Sequence, residues 1–395
     1  MRCRRVHMIY LDNAATTWPK PSCVIESVTA AMRQYGANPG RSGHRLSMET
    51  AQMVFRCREK VAKFFGLSDP TGVVFTANCT TALNTVIHGM MRQGGRVLIS
   101  DLEHNAVLRP CHALSSPSLR YDVARWSPSV EETVLNIRRA VTPRTRLIVV
   151  THASNVFGVT MPIEKIAKVA QELGIPLCVD AAQTAGVMPI DMERMGIDYL
   201  CVAAHKGLYA PMGSGLLLCR RKEPLIPLIT GGTGSYSQCP DQPMDLPDRL
   251  ESGTLSVPSV AGIAAGIDFV QKIGRESIYE HEMRLLQQLY TALSECNGVV
   301  LYTDFPQIET HAPVLSVNVM GRRSEEVAAL LDREGIAVRA GLHCAPMAHR
   351  HFNTLDGGTV RLAPSAFTDP SIVMRVKKVF EQFSEKPLHL SENVL

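Results

Sequence analysis

Three apolar runs and the helix between them decide the fold: Leu147-Ile-Val-Val-Thr151, then Ile163 to Gly174, then Pro176-Leu-Cys-Val-Asp180, then Tyr199-Leu-Cys-Val-Ala203-Ala-His-Lys206. Each apolar run has the length of a strand and carries no polar residue until its end, the pattern of a strand covered on both faces. Between the first two, Ile163, Ile166, Ala167 and Ala170 fall at helical spacing, and Gly174 supplies a stop. Strand, helix, strand is the unit of a parallel sheet. Working outward, Val73 to Thr76, Val97 to Ser100 and Gly215 to Cys219 repeat the strand signal. From about Val257 the pattern changes to a long helical stretch, Ala261 to Leu293. Apparent strands follow at Val314 to Val319 and Thr359 to Leu362, separated by a helix over Ser324 to Glu334. This predicts a large α/β domain over residues 15–257 and a smaller α/β domain over 258–395 joined by residues 1–14, with the boundary near Ser256 to Pro258.

Composition narrows the function. A chain of 395 residues with 45% hydrophobic content can bury a large core. Its net charge is only +4 and its Lys and Arg are scattered, which argues against a general nucleic-acid or membrane-surface binder. The basic start, Met1 to Arg5, is followed by an apolar stretch cut off at Asp12 and Asn13, leaving no room for a signal-peptide core. No run approaches the ~18 apolar residues of a membrane span, so a cytoplasmic location is expected. Eleven cysteines include no C-x-x-C pair, and most, like Cys178 and Cys201, sit in apolar runs as small buried hydrophobes. Cys344 differs, lying in the glycine-bearing, non-periodic segment Arg339-Ala-Gly-Leu-His-Cys344-Ala-Pro. His343, His349 and His351 have no acidic or second cysteine ligand at a recognised spacing, and no metal site is expected there.

In an open parallel sheet, ligands bind at the carboxyl ends of the strands. The polar residues there form one set: Asn78-Cys79-Thr80-Thr81, His104, Asn155, Asp180 with Gln183, and His205-Lys206. A lysine partly removed from water loses basicity and can form a Schiff base through its neutral amine. Asp180, ending a neighbouring strand, could pair with the ring nitrogen of pyridoxal 5'-phosphate (PLP), whose protonated ring acts as an electron sink. Thr80-Thr81-Ala82, read as opening a helix over Ala82 to Met91, offers hydroxyls and backbone N–H groups to a phosphate, with Thr80 as an alternative helix cap.

These motifs, together with Tyr10-Leu-Asp-Asn-Ala-Ala-Thr-Thr17, Glu103-His104, Ser154-Asn155, Asp180-Ala-Ala-Gln183, Glu251-Ser-Gly-Thr254 and Arg339 to Ala345, resemble the class V aminotransferase group of fold-type I PLP enzymes. Within that group the resemblance is to the cysteine desulfurases with a compact catalytic loop. It implies an α/β fold with a mostly parallel seven-stranded sheet flanked by helices, and a smaller α/β C-terminal domain. It implies that Lys206 binds PLP covalently, Asp180 pairs with the ring nitrogen, His104 stacks on the ring and Gln183 contacts the ring oxygen. Thr81, Ala82 and His205 would hold the phosphate, joined by Gly253 and Thr254 of a second subunit, hence a homodimer. Asn155, Arg339 and Arg361 match substrate-recognising positions, where a guanidinium fork suits an α-carboxylate. Cys344 would take sulfur from L-cysteine as a persulfide, its thiolate favoured by His343 and nearby arginines, and pass it to an acceptor protein, for iron-sulfur clusters, thiolated tRNA or a cofactor.

The chain departs from the family pattern at Ala203, a serine in many members, which removes one phosphate hydrogen bond, and at Gly231-Gly-Thr-Gly-Ser235. Two other activities fit the same scaffold: a selenocysteine lyase, and a class V aminotransferase or C-S lyase that does not use Cys344. A non-catalytic PLP-fold protein would have lost the lysine, aspartate or arginine, and all three are present.

Overall fold

The computed structural model describes residues 8–39, 43–92, 94–116, 119–221 and 225–384. A short strand β1 (Ile9–Tyr10) is followed by helices α1 (Ser22–Gln34) and α2 (Arg45–Phe64). The large sheet then comprises β2 (Val73–Thr76), β3 (Gly95–Ser100), β4 (Leu119–Ala124), β5 (Thr145–Thr151), β6 (Leu177–Asp180), β7 (Tyr199–Ala203) and β8 (Gly215–Cys219). Their order is β2-β8-β7-β6-β5-β3-β4, and only β8 runs antiparallel to its neighbours. The link from Ala204 to Ser214 is too short for a crossover helix, so β8 returns antiparallel. Four helices serve four of the five other connections, α3 (Cys79–Met91), α4 (Asn105–Ala113), α5 (Val130–Ala140) and α6 (Ile163–Glu172), and the link from β6 to β7 runs through turns. Every residue of β6, β7 and β8 is buried, as their unbroken apolar sequences require. β4 is the strand that the apolar-run criterion passes over. It lies at the sheet edge, its sequence Leu-Arg-Tyr-Asp-Val-Ala alternates, and Asp122 pairs with Arg96 of β3.

The helical stretch expected to run through Ala261 to Leu293 is two helices, α7 (Val257–Ile273) and α8 (Arg275–Ser294). Gly274 separates them at φ +93°, a backbone that side-chain-bearing residues rarely adopt, with its N–H returned to Val270 O. α7 contributes Val257, Val260, Ile263 and Ile267 to the core of the large sheet. At Gly266 it presses so closely on the loop after β7 that an added Cβ would lie 1.9 Å from Leu208 O.

Beyond α8 come β9 (Val299–Leu301), β10 (Leu315–Val319), α9 (Ser324–Arg333), β11 (Ile336–Ala337), β12 (Arg339–Gly341), α10 (Pro346–His351), β13 (Thr359–Leu362) and α11 (Ile372–Ser384). A four-stranded sheet has the order β12-β13-β10-β9, and β1 pairs in parallel with β11, so the N-terminal segment is tied to the C-terminal part of the chain. A second core joins Leu285, Leu286 and Leu289 of α8 with Val317, Val360 and Phe380. Among the described residues no helix is long and apolar enough to cross a membrane.

Candidate active site

β3 has β4 on one side and β5 on the other, and at this reversal of strand order the carboxyl ends of β3, β5, β6 and β7 open onto a cavity of about 220 Å³. Its wall includes Lys206, Asp180, His104, Gln183, His205, Asn155, Arg339 and Arg361. Residues far apart in the chain thus meet because their strands end side by side.

Lys206 follows β7 and is half-buried. Burial first, and the Arg361 guanidinium second, pull its ammonium down to about 8. Asp180 is 4% exposed, and its Oδ1 accepts Ala182 N–H at 2.9 Å. His104 caps α4, its Nδ1 accepting Ala106 N–H at 3.0 Å, so its neutral ring carries its proton on Nε2. Burial lowers its pKa. Gln183 donates from Nε2 to Ala14 O at 3.1 Å. His205 contacts Thr16 Oγ1 through Nδ1 at 3.1 Å, and burial, then Lys206 and Lys20, bring its pKa to about 4, leaving it neutral. Ala203 is buried in the same wall and offers no hydroxyl.

Arg361 lies inside β13 and is 1% exposed. One terminal nitrogen donates to Asn155 O at 2.9 Å and the other to Asp12 Oδ1 at 2.7 Å, while Nε has no partner among the described residues. Asp12, which the residue patterns do not single out by themselves, is the acid that a fully buried guanidinium requires. Its place within the Tyr10 to Thr17 motif was the available signal. Arg339, on β12, is exposed at the cavity wall.

The phosphate candidates are arranged differently from the expectation. α3 begins at Cys79, three residues before Ala82, and its cap is Asn78, whose Oδ1 accepts Thr81 N–H at 2.8 Å and Thr81 Oγ1–H at 3.1 Å. An asparagine outcompetes Thr80 here because its side chain reaches the third N–H of the helix. Ala82 is fully buried and its N–H goes to Asn78 O. Thr81 lines a second cavity, of about 320 Å³, on the other side of this first turn, and Thr254 lines it too. Gly253 and Thr254 of the chain itself therefore lie away from Lys206. Gly253 has φ +94° and donates to Gly232 O at 2.9 Å.

Cys344 is exposed and lies beside the 220 Å³ cavity without lining it. His343 and Cys344 have φ of +48° and +57°. Two hydrogen bonds anchor this turn's carbonyls to other elements: Asn155 Nδ2 donates to His343 O, and Asn105 N–H, one residue past His104, donates to Cys344 O, both at 2.7 Å. The imidazole of His343 is buried, and burial, then Arg361, pushes its pKa down to about 3. A neutral His343 cannot favour the Cys344 thiolate by charge, and that expectation is corrected. Its neighbours are separately engaged, His349 by Thr354 at 2.7 Å and His351 by Asp101 at 2.6 Å.

The donor set fits PLP: an amine of lowered basicity, a buried carboxylate, an imidazole and a guanidinium share one cavity. Residues 9–369 match the family model described as aminotransferase class-V. A Methanothermobacter thermautotrophicus protein named a probable cysteine desulfurase is 32% identical over 383 residues, 95% of this chain and 94% of that one. Among solved structures, the apo cysteine desulfurase of Thermococcus onnurineus superposes with a TM-score of 0.85 at 30% identity, covering 95% of this chain and 94% of that chain. The Escherichia coli cysteine desulfurase CsdA, in an S-sulfonic acid form, gives 0.82 at 25% identity, covering 96% and 95%.

Proposed function

Because the chain belongs to the aminotransferase class-V family and, within it, to the cysteine desulfurases, we propose that it converts L-cysteine to L-alanine with PLP held at Lys206 and sulfur left on Cys344. The observation that carries this reading is the meeting of Lys206, Asp180 and Arg361 on one cavity wall. Bound there, PLP supplies an electron sink that weakens bonds at the α-carbon of an amino acid. Lys206, its ammonium at about 8, reaches the nucleophilic neutral form far more readily than an ordinary lysine. Asp180 would accept a hydrogen bond from the protonated ring nitrogen and so keep it protonated, His104 would cover the ring, and Gln183 would meet its oxygen. His205 and Thr80, which line this cavity, would hold the phosphate in place of Thr81, which faces the second cavity, together with Gly253 and Thr254 of a second copy, and Ala82 supports that turn from behind. Arg361, with Arg339 and Asn155, receives the substrate carboxylate.

In the sulfur step the Cys344 thiolate attacks the sulfur of the bound cysteine. The S–S bond forms as the carbon–sulfur bond breaks, and the carbon gains the electron pair and a proton. Substrate and enzyme thiols thus become alanine and enzyme persulfide with no outside oxidant or reductant. The homodimer, a sulfur-acceptor protein, a role in iron-sulfur assembly and a cytoplasmic location complete the proposal. So does a division at residues 15–257 and 258–395 with 1–14, bridged by α7.

The test is alanine and sulfide release by PLP-loaded protein given L-cysteine and a thiol reductant, with Cys344→Ala beside it. We expect equal alanine and sulfide from the wild type and neither from the variant. Pyruvate in place of alanine, or an unaffected variant, points to a lyase or aminotransferase, and a strong preference for selenocysteine points to a selenocysteine lyase.

A further inference from the structure

Cys79 lines the cavity with no part in the reaction proposed above. It is buried at the first position of α3, and its Sγ lies 3.5 Å from Asp180 Oδ1, the oxygen that also accepts Ala182 N–H at 2.9 Å. Among the described residues no hydrogen bond reaches Asp180 Oδ2. Burial, and then the charge of Asp180, raises the Cys79 pKa well above its ordinary value, so the thiol is protonated at neutral pH and acts as the donor. Beneath it lie Cys178 and Cys201 of adjacent strands, their sulfurs 3.8 Å apart, in the same apolar cluster as Cys79. A donor to a carboxylate counts for more in such low-dielectric surroundings than in water.

We propose that Cys79 is a positioning residue for Asp180: its S–H, with Ala182 N–H, occupies Oδ1 and turns the carboxylate so that Oδ2 faces the cofactor's ring nitrogen. An aspartate carboxyl turns about a broad, two-fold torsion, and a single backbone donor at Oδ1 leaves much of that freedom. A second donor arriving from α3, a different element from the β6 end that carries Asp180, fixes the plane. The inference deepens the PLP reading of this cavity and rests on it.

The experiment uses full-length, PLP-loaded protein. Wild type, Cys79→Ala and Cys79→Ser are compared by the rate of cofactor loss to a scavenger and by the pH at which the visible cofactor band changes. Alanine removes the donor, and we expect cofactor loss about three- to tenfold faster, the range of one net hydrogen bond, with a displaced titration of the band. Serine keeps a donor and should remain within about twofold of wild type. Equal behaviour of all three proteins overturns the proposal, and so does a serine variant that moves as far as alanine, since packing would then be the cause. A difference infrared spectrum, wild type minus Cys79→Ser, reads the S–H donor directly even if the alanine variant does not fold. A free-thiol frequency there also overturns it. A wild type that binds no PLP refutes the cofactor reading itself, and this inference with it.

Discussion

Glu103→Gln should flatten the fall of stability with pH above pH 6. Glu103 is fully buried just before His104, and its Oε1 accepts from Ser100 Oγ at 2.5 Å and Thr151 N at 2.8 Å, while Oε2 has no partner among the described residues. Burial raises its pKa from 4.5 to about 8, so the carboxyl is mostly protonated in the fold at neutral pH and ionised in the unfolded chain. A carboxyl with a raised folded pKa takes up a proton on folding. Its contribution to stability is complete below pH 4.5 and is lost as pH rises through about 8. From pH 6 to pH 9 that loss amounts to about 2–3 kcal/mol. Glutamine keeps the shape and the acceptor oxygen for Ser100 and Thr151, and it cannot ionise. Urea unfolding followed by the fluorescence of Trp18 and Trp126 would therefore show the variant gaining about 2–3 kcal/mol on wild type between pH 6 and pH 9. Parallel pH profiles for the two proteins would refute the assignment of a buried, protonated Glu103.

Arg58→Ala should cost about 3–5 kcal/mol, because Glu251, buried and bonded to both Arg58 and Phe75 N, would be left as an unpaired charge; a Tm equal to wild type would contradict this. Arg361→Lys gives up the planar fork that engages Asn155 O and Asp12 together. We expect KM for L-cysteine to rise about tenfold or more, the effect of losing at least one charge-assisted hydrogen bond, and an unchanged KM would remove Arg361 from the carboxylate site.

How far the sequence could be read depended on what each segment buries. The runs Leu147 to Val150 of β5, Leu177 to Val179 of β6 and Leu200 to Ala203 of β7 are buried and carry no polar residue, although β5 opens with Thr145 and an exposed Arg146. The first polar residue after each run, Thr151, Asp180 and His205, lines the cavity. Asn155 and Lys206 follow within a few residues of those strand ends, which is why they were legible along with Asp180. β4 has a sheet neighbour on one side only and carries Arg120 and Asp122, so no apolar run announces it. Gly274 divides α7 from α8 through its backbone angle, and residue spacing alone does not reveal that angle. Asn78 over Thr80 as the α3 cap was a competition between adjacent good capping residues, settled by which side chain reaches Thr81 N. Burial of the His343 ring, which stacks on His349, and with it the loss of its charge, follows from tertiary packing and has no local sequence signal.

The turn that carries Cys344 bears on how sulfur would leave. Consecutive non-glycine residues at positive φ cost on the order of 1–3 kcal/mol each, and such a turn persists only where its surroundings hold it. Here the carbonyls of His343 and Cys344 are bound by Asn155, from the β5 end, and by Asn105, at the start of α4, and Ala345 N–H closes back onto Leu342 O at 2.9 Å. Both anchors adjoin the cavity: Asn155 lines it, and Asn105 follows His104, which does. A swinging arm needs slack on both sides of its cysteine, and this turn has none before α10 begins at Pro346. With the backbone fixed and the thiol exposed, the proposed chemistry places the persulfide at the cavity mouth, where an acceptor must approach Cys344. The travelling partner in sulfur transfer is then the acceptor, and the neighbouring imidazole, being neutral, brings no charge to the turn.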